Sequence, residues 1–162
     1  MDQHVIEAEL ASAGDLLDST PIAHLAYTGT DGTPRVVPVG FWWTGHQFVV
    51  STADTAPKVA ALSTNPDVAL TIDTGGRPDD ARALSVRGRA DVRIVDGVVE
   101  EFLAAARKTM DTEAAAQFER SCRQMYDRMA RIAITPRWAR YYDFGAGRMP
   151  VFLQELAERS GR

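Results

Sequence analysis

Residues 22–43 read Ile22-Ala23-His24-Leu25-Ala26-Tyr27-Thr28, then Gly29-Thr30-Asp31-Gly32-Thr33, then Pro34-Arg35-Val36-Val37-Pro38-Val39-Gly40-Phe41-Trp42-Trp43. Two β-prone runs, Ile22 to Thr28 and Arg35 to Trp43, flank an Asp-Gly pair, the strongest short-range hairpin signal in a sequence. A second turn at Thr44-Gly45-His46-Gln47 leads into Phe48-Val49-Val50-Ser51-Thr52, so the first half of the chain reads as an antiparallel meander.

Outward from that meander the pattern changes twice. Upstream, Val5, Ile6, Leu10, Ala13, Leu16 and Leu17 recur at helical spacing until Ser19-Thr20-Pro21. Downstream, Asp54 and Thr55 are helix-capping types and Pro57 suits a first turn. A short helix over Lys58 to Ser63 is therefore expected, ended by Asn65-Pro66. Val68, Leu70 and Ile72 then alternate with polar or small residues. After the loop Thr74 to Asp80, Val86, Gly88, Ala90, Val92 and Ile94 alternate with Arg87, Arg89, Asp91 and Arg93. Gly88 inside a long strand marks a bend or bulge. From Asp96 to Ala130 the apolar residues fall on helix stripes, Val98, Val99, Phe102, Leu103 and Ala106, then Phe118, Cys122, Met125 and Met129, broken near Asp111-Thr112. The end returns to strand, with Ile132, Ile134, Trp138, Tyr142 and Phe144 on one parity, interrupted by Pro136 and closed by Gly145-Ala146-Gly147. Several long antiparallel strands with inserted helices imply a small closed or half-closed barrel, because closure removes aggregation-prone edges. The class is mainly β (α+β) with flanking helices, one domain over residues 1–162 with a helical insertion at about 96–130.

Composition narrows the function. The chain has 162 residues, 45% apolar and 25% charged, with 18 basic and 22 acidic groups giving a net charge of −4. That balance disfavours a nucleic-acid binder. No apolar run reaches the roughly 20 residues of a membrane span, and Met-Asp-Gln-His at the start lacks an export pattern, so a cytoplasmic protein without membrane attachment is expected. One cysteine and three histidines at 4, 24 and 46 offer no metal-ligand spacing, and no metal is expected. Cys122 on a helix stripe reads as a small buried hydrophobe. Neither His24 nor His46 has a nucleophile motif beside it, so no hydrolytic triad is invoked.

Chemistry concentrates in two adjacent runs. Arg35 precedes the apolar strand Val36-Val37-Pro38-Val39, and Ser51-Thr52-Ala53-Asp54-Thr55-Ala56-Pro57-Lys58 brings hydroxyls and a lysine to a helix start. A phosphate monoester wants a guanidinium, an ammonium, short hydroxyl donors and free N–H groups at a helix N-terminus. Lys58 is one of only two lysines. The same residues also fit a plainer role, with Arg35 and Lys58 as solvated charges and Ser51, Thr52 and Thr55 ending a strand and capping a helix.

Three runs taken together, Pro34-Arg35-Val36-Val37-Pro38-Val39, then Val50-Ser51-Thr52-Ala53 with Thr55 and Lys58, then Leu62-x-x-Asn65-Pro66-x-Val68-Ala69-Leu70, resemble the pyridoxamine 5′-phosphate oxidase-like flavin-binding split β-barrels over about residues 18–95. The resemblance implies a homodimer of six-stranded antiparallel split β-barrels with a flavin, FMN, or alternatively the deazaflavin coenzyme F-420, at each of two interface clefts. It implies that Arg35 and Lys58 hold the cofactor phosphate with Ser51, Thr52 and Thr55. The backbone of Val36, Val37, Pro38 and Val39 would border the ring, and Trp138 and Tyr142 would come from the second subunit. The activity implied is an oxidoreductase moving hydride to or from a small organic substrate. No catalytic side chain is singled out, since the cofactor carries the chemistry. A non-catalytic carrier of flavin, deazaflavin or tetrapyrrole is the alternative. The sequence departs from the vitamin enzyme in two places: Pro57 stands where an arginine typically precedes the lysine, and the end, Leu153 to Arg162, lacks an Arg-Leu-x-Pro type motif. Both speak against pyridoxamine phosphate as substrate.

Overall fold

The computed structural model describes residues 1–160; the last two residues of the segment compared with the vitamin enzyme's ending lie outside it. Helix α1 (Gln3–Ser12) starts where Asp2 accepts a hydrogen bond from the His4 N–H at 2.9 Å, and α2 (Gly14–Ser19) follows after Ala13. The single helix expected from the apolar spacing is thus two, bent at Ala13. Strands β1 (Ile22–Thr28) and β2 (Pro34–Gly40) form the expected hairpin, with Gly32 at φ 78° in its turn. Then come β3 (Trp42–Trp43), β4 (Phe48–Ala53), α3 (Pro57–Thr64), β5 (Asp67–Asp73) and β6 (Arg82–Asp96). Helices α4 (Glu100–Ala106) and α5 (Thr112–Met125) precede β7 (Arg128–Asp143), and α6 (Val151–Ser160) ends the described chain.

All ladders are antiparallel, in the order β2-β1-β5-β6-β7-β4-β3. The two ends of that list, β2 and β3, are separated in sequence only by Phe41. They form one interrupted strand that pairs with β1 along its first part and β4 along its last, so seven strand segments joined by six ladders make a closed ring of six strands. Phe41, fully buried, is the point of closure. Before it, β2 has no ladder to β4, and the barrel is split there.

The interior is filled by Leu25, Phe41, Phe48, Leu70, Ile72 and Ile132, all essentially inaccessible to solvent, with Leu62 of α3 and Leu16 and Leu17 of α2 joining the same core. A smaller cluster of Val98, Val99, Leu103, Cys122 and Met129 packs α4 and α5 onto the outside of β7. Met129 therefore belongs to the start of β7 and not to a helix stripe: its strand is covered on both faces there, which hides the two-residue period.

Gly88 is the bulge that the sequence anticipates. Arg87 faces Trp138 while Gly88 faces Pro136, so Arg137 is an extra residue on β7. The insertion reverses the parity of the strand. Ile132 and Ile134 point into the core, whereas Trp138 and Tyr142 lie on the outer face, correcting the single parity expected from the sequence. Beyond Pro136, β7 has no β4 neighbour, and α1 covers the open edge. There the buried Glu9 carboxylate accepts the Tyr141 N–H at 2.7 Å and is held by Arg148 at 2.8 Å and Arg140 at 3.1 Å.

Candidate functional site

The split lies between β2 and the end of β4, where four sequence-predicted residues lead into α3. Ser51 and Thr52 occupy β4, opposite Arg131 and Ala130 of β7, Thr55 is exposed in the following turn, and Lys58 is the second residue of α3. The Ser51 Oγ is buried without a hydrogen-bond partner. An unsatisfied buried hydroxyl costs about 1–3 kcal/mol unless a ligand or water takes it up. Lys58 is half-buried and has no carboxylate or hydrogen-bond partner among the described residues. The N-terminus of α3 has Pro57 in its first turn, and no side chain caps it, Ala56 being the cap residue.

On the opposite wall, Val37 and Val39 turn inward onto the core, while Val36, 67% exposed, and Pro38 face outward. Continuing the Trp43↔Phe48 and Trp42↔Val49 register past Phe41 would set Val39 alongside Thr52 and Arg35 alongside Ala56, two residues before Lys58. Arg35 is not free at that position. Its Nη2 bonds Asp31 Oδ2 at 2.8 Å and its Nη1 bonds Thr33 Oγ1, closing the β1–β2 hairpin on itself. Asp31, on the surface, is pulled far below the usual carboxylate range chiefly by the bond from Arg35. Arg35 also lines a groove of about 510 Å³ shared with Arg87 and Arg137, and Lys58 is not part of that groove.

Trp138 and Tyr142 lie apart from the split, on the outer face of the sheet. Consecutive ladders line up Val36, Ala26, Ala69, Arg87 and Trp138 in one row, and Pro38, His24, Thr71, Ser85 and Arg140 in the next. Arg87 stacks on the Trp138 ring, its guanidinium carbon 4.4 Å from the ring centroid. Small side chains in the middle of both rows leave a shallow, accessible shelf.

Elsewhere the titratable groups have structural work. Lys108 Nζ donates to the carbonyls of Leu17 at 2.9 Å and Thr20 at 3.2 Å, at the end of α2, and sits 3.8 Å from the Phe41 ring centroid. Burial pushes its pKa down to about 8. The Cys122 thiol is pushed up by burial, as suits a packed side chain. Among the described residues, no group of three or more His, Cys, Asp or Glu is placed to hold a metal, and no helix is long and apolar enough to cross a membrane. The sequence reading missed the Glu9 cluster and α6, which join residues far apart in the chain or follow it, and the aim of Arg137. The Gly88 signal located the bulge but not which residue it displaced.

Residues 11–143 match the family model described as pyridoxamine 5′-phosphate oxidase. Among solved structures, a conserved hypothetical protein from Mycobacterium tuberculosis superposes with a TM-score of 0.64 at 18% identity, covering 93% of this chain and 89% of its own. An F-420 reductase superposes with a TM-score of 0.58 at 27% identity, covering 77% and 93% respectively. The heme storage protein of Vibrio cholerae gives 0.58 at 15%, covering 83% and 94%. No curated protein matches the sequence.

Proposed function

We propose that this chain, which belongs to the pyridoxamine 5′-phosphate oxidase family, is an oxidoreductase that anchors FMN, or alternatively the deazaflavin coenzyme F-420, by its phosphate at the mouth of the split. The observation that carries the reading is the set of polar groups left without partners where β4 runs into α3: the buried Ser51 hydroxyl, the Lys58 ammonium and the uncapped N-terminus of α3. A phosphate monoester matches all three, with an ammonium for charge, a hydroxyl donor and helix N–H groups. Thr52 and Thr55 add hydroxyls beside them. Arg35 completes the clamp by exchanging Asp31 for the ligand. The F-420 reductase among the similar structures supports the deazaflavin arm.

When bound, such a cofactor supplies hydride transfer. The chain supplies position and a dry wall. The outer edge of β2 from Val36 to Val39 offers backbone groups to a ring edge, and the side chains of those four residues are apolar. The shelf on the outer sheet face exposes Val36 and Ile22, and a twofold homodimer covering it would form two equivalent clefts. Trp138 and Tyr142 of one copy would then wall the cleft of the other, leaving room for a small organic substrate.

The test is an absorbance spectrum of the purified protein, alone and with FMN and F-420, followed by titration of Lys58→Ala. The variant should lose about 1.5–3 kcal/mol of cofactor affinity, roughly 10- to 150-fold. Binding of neither cofactor, or unchanged affinity in the variant, overturns the assignment. A cofactor that binds but is cycled by no reductant or acceptor points to a carrier instead.

A further inference from the structure

We propose that Lys108 is a reactive amine that condenses reversibly with an apolar aldehyde in the cavity between α2, β3 and the end of α4. That cavity, of about 590 Å³, is lined by Asp18, Trp42, Ala104, Arg107 and Lys108. It shares no residue with the polar groups at Ser51 and Lys58 or with the groove beside Arg35. Lys108 lies just past α4, half-buried, with its Nζ 3.8 Å from the Phe41 ring centroid and 5.9 Å from that of Trp42. Trp42 and Ala104 give the cavity an apolar wall beside the amine. The charged groups that share the cavity with it are Asp18 from α2 and Arg107 from its own helix end, and Arg107 is engaged by Glu119 at 3.2 Å. β3 presents only Trp42 there.

The surroundings of the nitrogen select the adduct. Nζ donates to the Leu17 carbonyl at 2.9 Å and to the Thr20 carbonyl at 3.2 Å, and the face of the Phe41 ring lies on another side. Each of these presents partial negative charge, so the position suits a cation. Acylation would give a neutral amide and forfeit that charge. A protonated imine keeps the charge and one N–H, enough for the Leu17 carbonyl, and gives up only the longer bond to Thr20. Burial meanwhile pushes the amine's pKa down to about 8. At pH 7 about one Lys108 in ten is therefore neutral and nucleophilic, against about one in 2,500 for an ordinary lysine. Desolvated lysines of this kind are the ones suited to Schiff-base chemistry.

The step balances without an oxidant or reductant. The neutral Nζ attacks the aldehyde carbon, a C–N bond forms, and a proton passes from nitrogen to the alkoxide oxygen, with the Asp18 carboxylate on the cavity wall to carry it. The C–O bond then breaks, the departing hydroxyl takes up the proton that the ammonium first released, and water leaves. Ammonium and aldehyde thus give a protonated imine and one water. The body of the aldehyde lies along Trp42 and Ala104, where an aryl or alkyl group is taken out of water. With Arg107 already matched by Glu119, the Asp18 carboxylate disfavours an aldehyde that carries its own acid group. The site stands on this cavity alone and does not need a cofactor at Lys58.

The experiment exposes the full chain at pH 7 to benzaldehyde or to glyoxylate in the presence of cyanoborohydride, which traps imines irreversibly, and maps the labelled peptides by mass spectrometry. Lys58, the only other lysine, is the internal comparison. With benzaldehyde, Lys108 should be labelled about tenfold faster than Lys58 or more. Glyoxylate offers the same reactive group with an acid and no apolar body, and should lower that ratio about fivefold. Lys58→Arg should leave the labelling of Lys108 unchanged. Lys108→Arg, which keeps a cation beside the two carbonyls, should abolish labelling at position 108 with little change in the thermal melt. Equal labelling of the two lysines by benzaldehyde, or none at Lys108, overturns the proposal. The same ratio with both aldehydes would mean a reactive amine without a binding cavity, and overturns it as well.

Discussion

Gly88→Ala tests the bulge on which the outer-face geometry depends. An added Cβ would lie 2.6 Å from the Thr135 carbonyl oxygen and 2.9 Å from Ile134 Cγ2. Carbon–oxygen contacts in sheets close to about 3.3 Å, so β7 must retreat by roughly 0.7 Å. The obstructing atom is backbone, held in the longest ladder of the fold, and cannot rotate aside. Overpacking of this kind costs about 1–3 kcal/mol, against a gain of about 0.5–1 kcal/mol from replacing a strand glycine. At the midpoints of those ranges the net loss is about 1.3 kcal/mol, which corresponds to a fall in Tm of roughly 3–5 °C for a chain of this size. Gly14→Ala is the control. It sits at the start of α2 with no atom within 4 Å of its would-be Cβ, and should be neutral or slightly stabilising. Scanning calorimetry of both variants decides the matter. A Gly88→Ala protein that melts with the wild type, or above it, would refute the account of close approach between β6 and β7.

Three further outcomes follow from other contacts. Glu9→Ala strips the bonds from Arg140, Arg148 and the Tyr141 N–H, leaves that N–H without its partner at the open edge of β7, and should cost about 2–4 kcal/mol in urea unfolding; a loss under about 0.5 kcal/mol would contradict the edge-capping role. Lys108 has its pKa lowered by burial to about 8 from its usual 10.5, so between those values the unfolded chain binds a proton that the folded chain releases. Its contribution to stability therefore rises with pH across that window, and the unfolding free energy of the wild type minus that of Lys108→Met should climb there, where a flat difference would refute the shift. Arg131 holds the Glu101 carboxyl below its usual range, so the pair's contribution is complete above that range and lost as pH falls through the lowered value; Glu101→Gln should flatten the acid limb of a stability profile, and parallel limbs would count against it.

Much of this architecture is legible because its signals are local. The Asp31-Gly32 turn, the Pro57 start and Asn65-Pro66 end of α3, and Gly88 each declare themselves within a few residues, and the strands between them alternate openly where one face meets solvent. What is lost is what tertiary packing decides. The beginning of β7 reads as helix because α4 and α5 bury Met129 from outside while Ala130 and Ile132 are buried from within. The aim of Trp138 and Tyr142 cannot be counted from Ile134, since one inserted residue changes the parity. Lys58 and Ser51 are legible as candidates by residue type, yet their missing partners are visible only in three dimensions.

The closure at Phe41 also constrains where any ligand can go. A barrel needs about eight strands before its interior is just wide enough to be filled by side chains or to hold one small ligand. Six strands enclose less, and here Phe41, Phe48, Leu25, Ile72 and Ile132 fill that space with essentially no access to solvent. Binding must therefore use the outside of the ring, at places where the ladders leave something unfinished. Two such places carry polar groups without partners: the split before Phe41, where β4 parts from β2 and ends in Ser51, Thr52 and the uncapped start of α3, and the bulge at Gly88, where Arg137 leaves the strand pattern. Both arise from departures in regular pairing, and each faces the same outer sheet surface or its edge. A molecule long enough to span them would meet a cation at either end and an apolar strand between, so Lys58→Ala and Arg137→Gln should each weaken that one ligand, with losses that add within about 0.5 kcal/mol in the double variant. A ligand weakened by only one of the two substitutions occupies one of these places and does not bridge them.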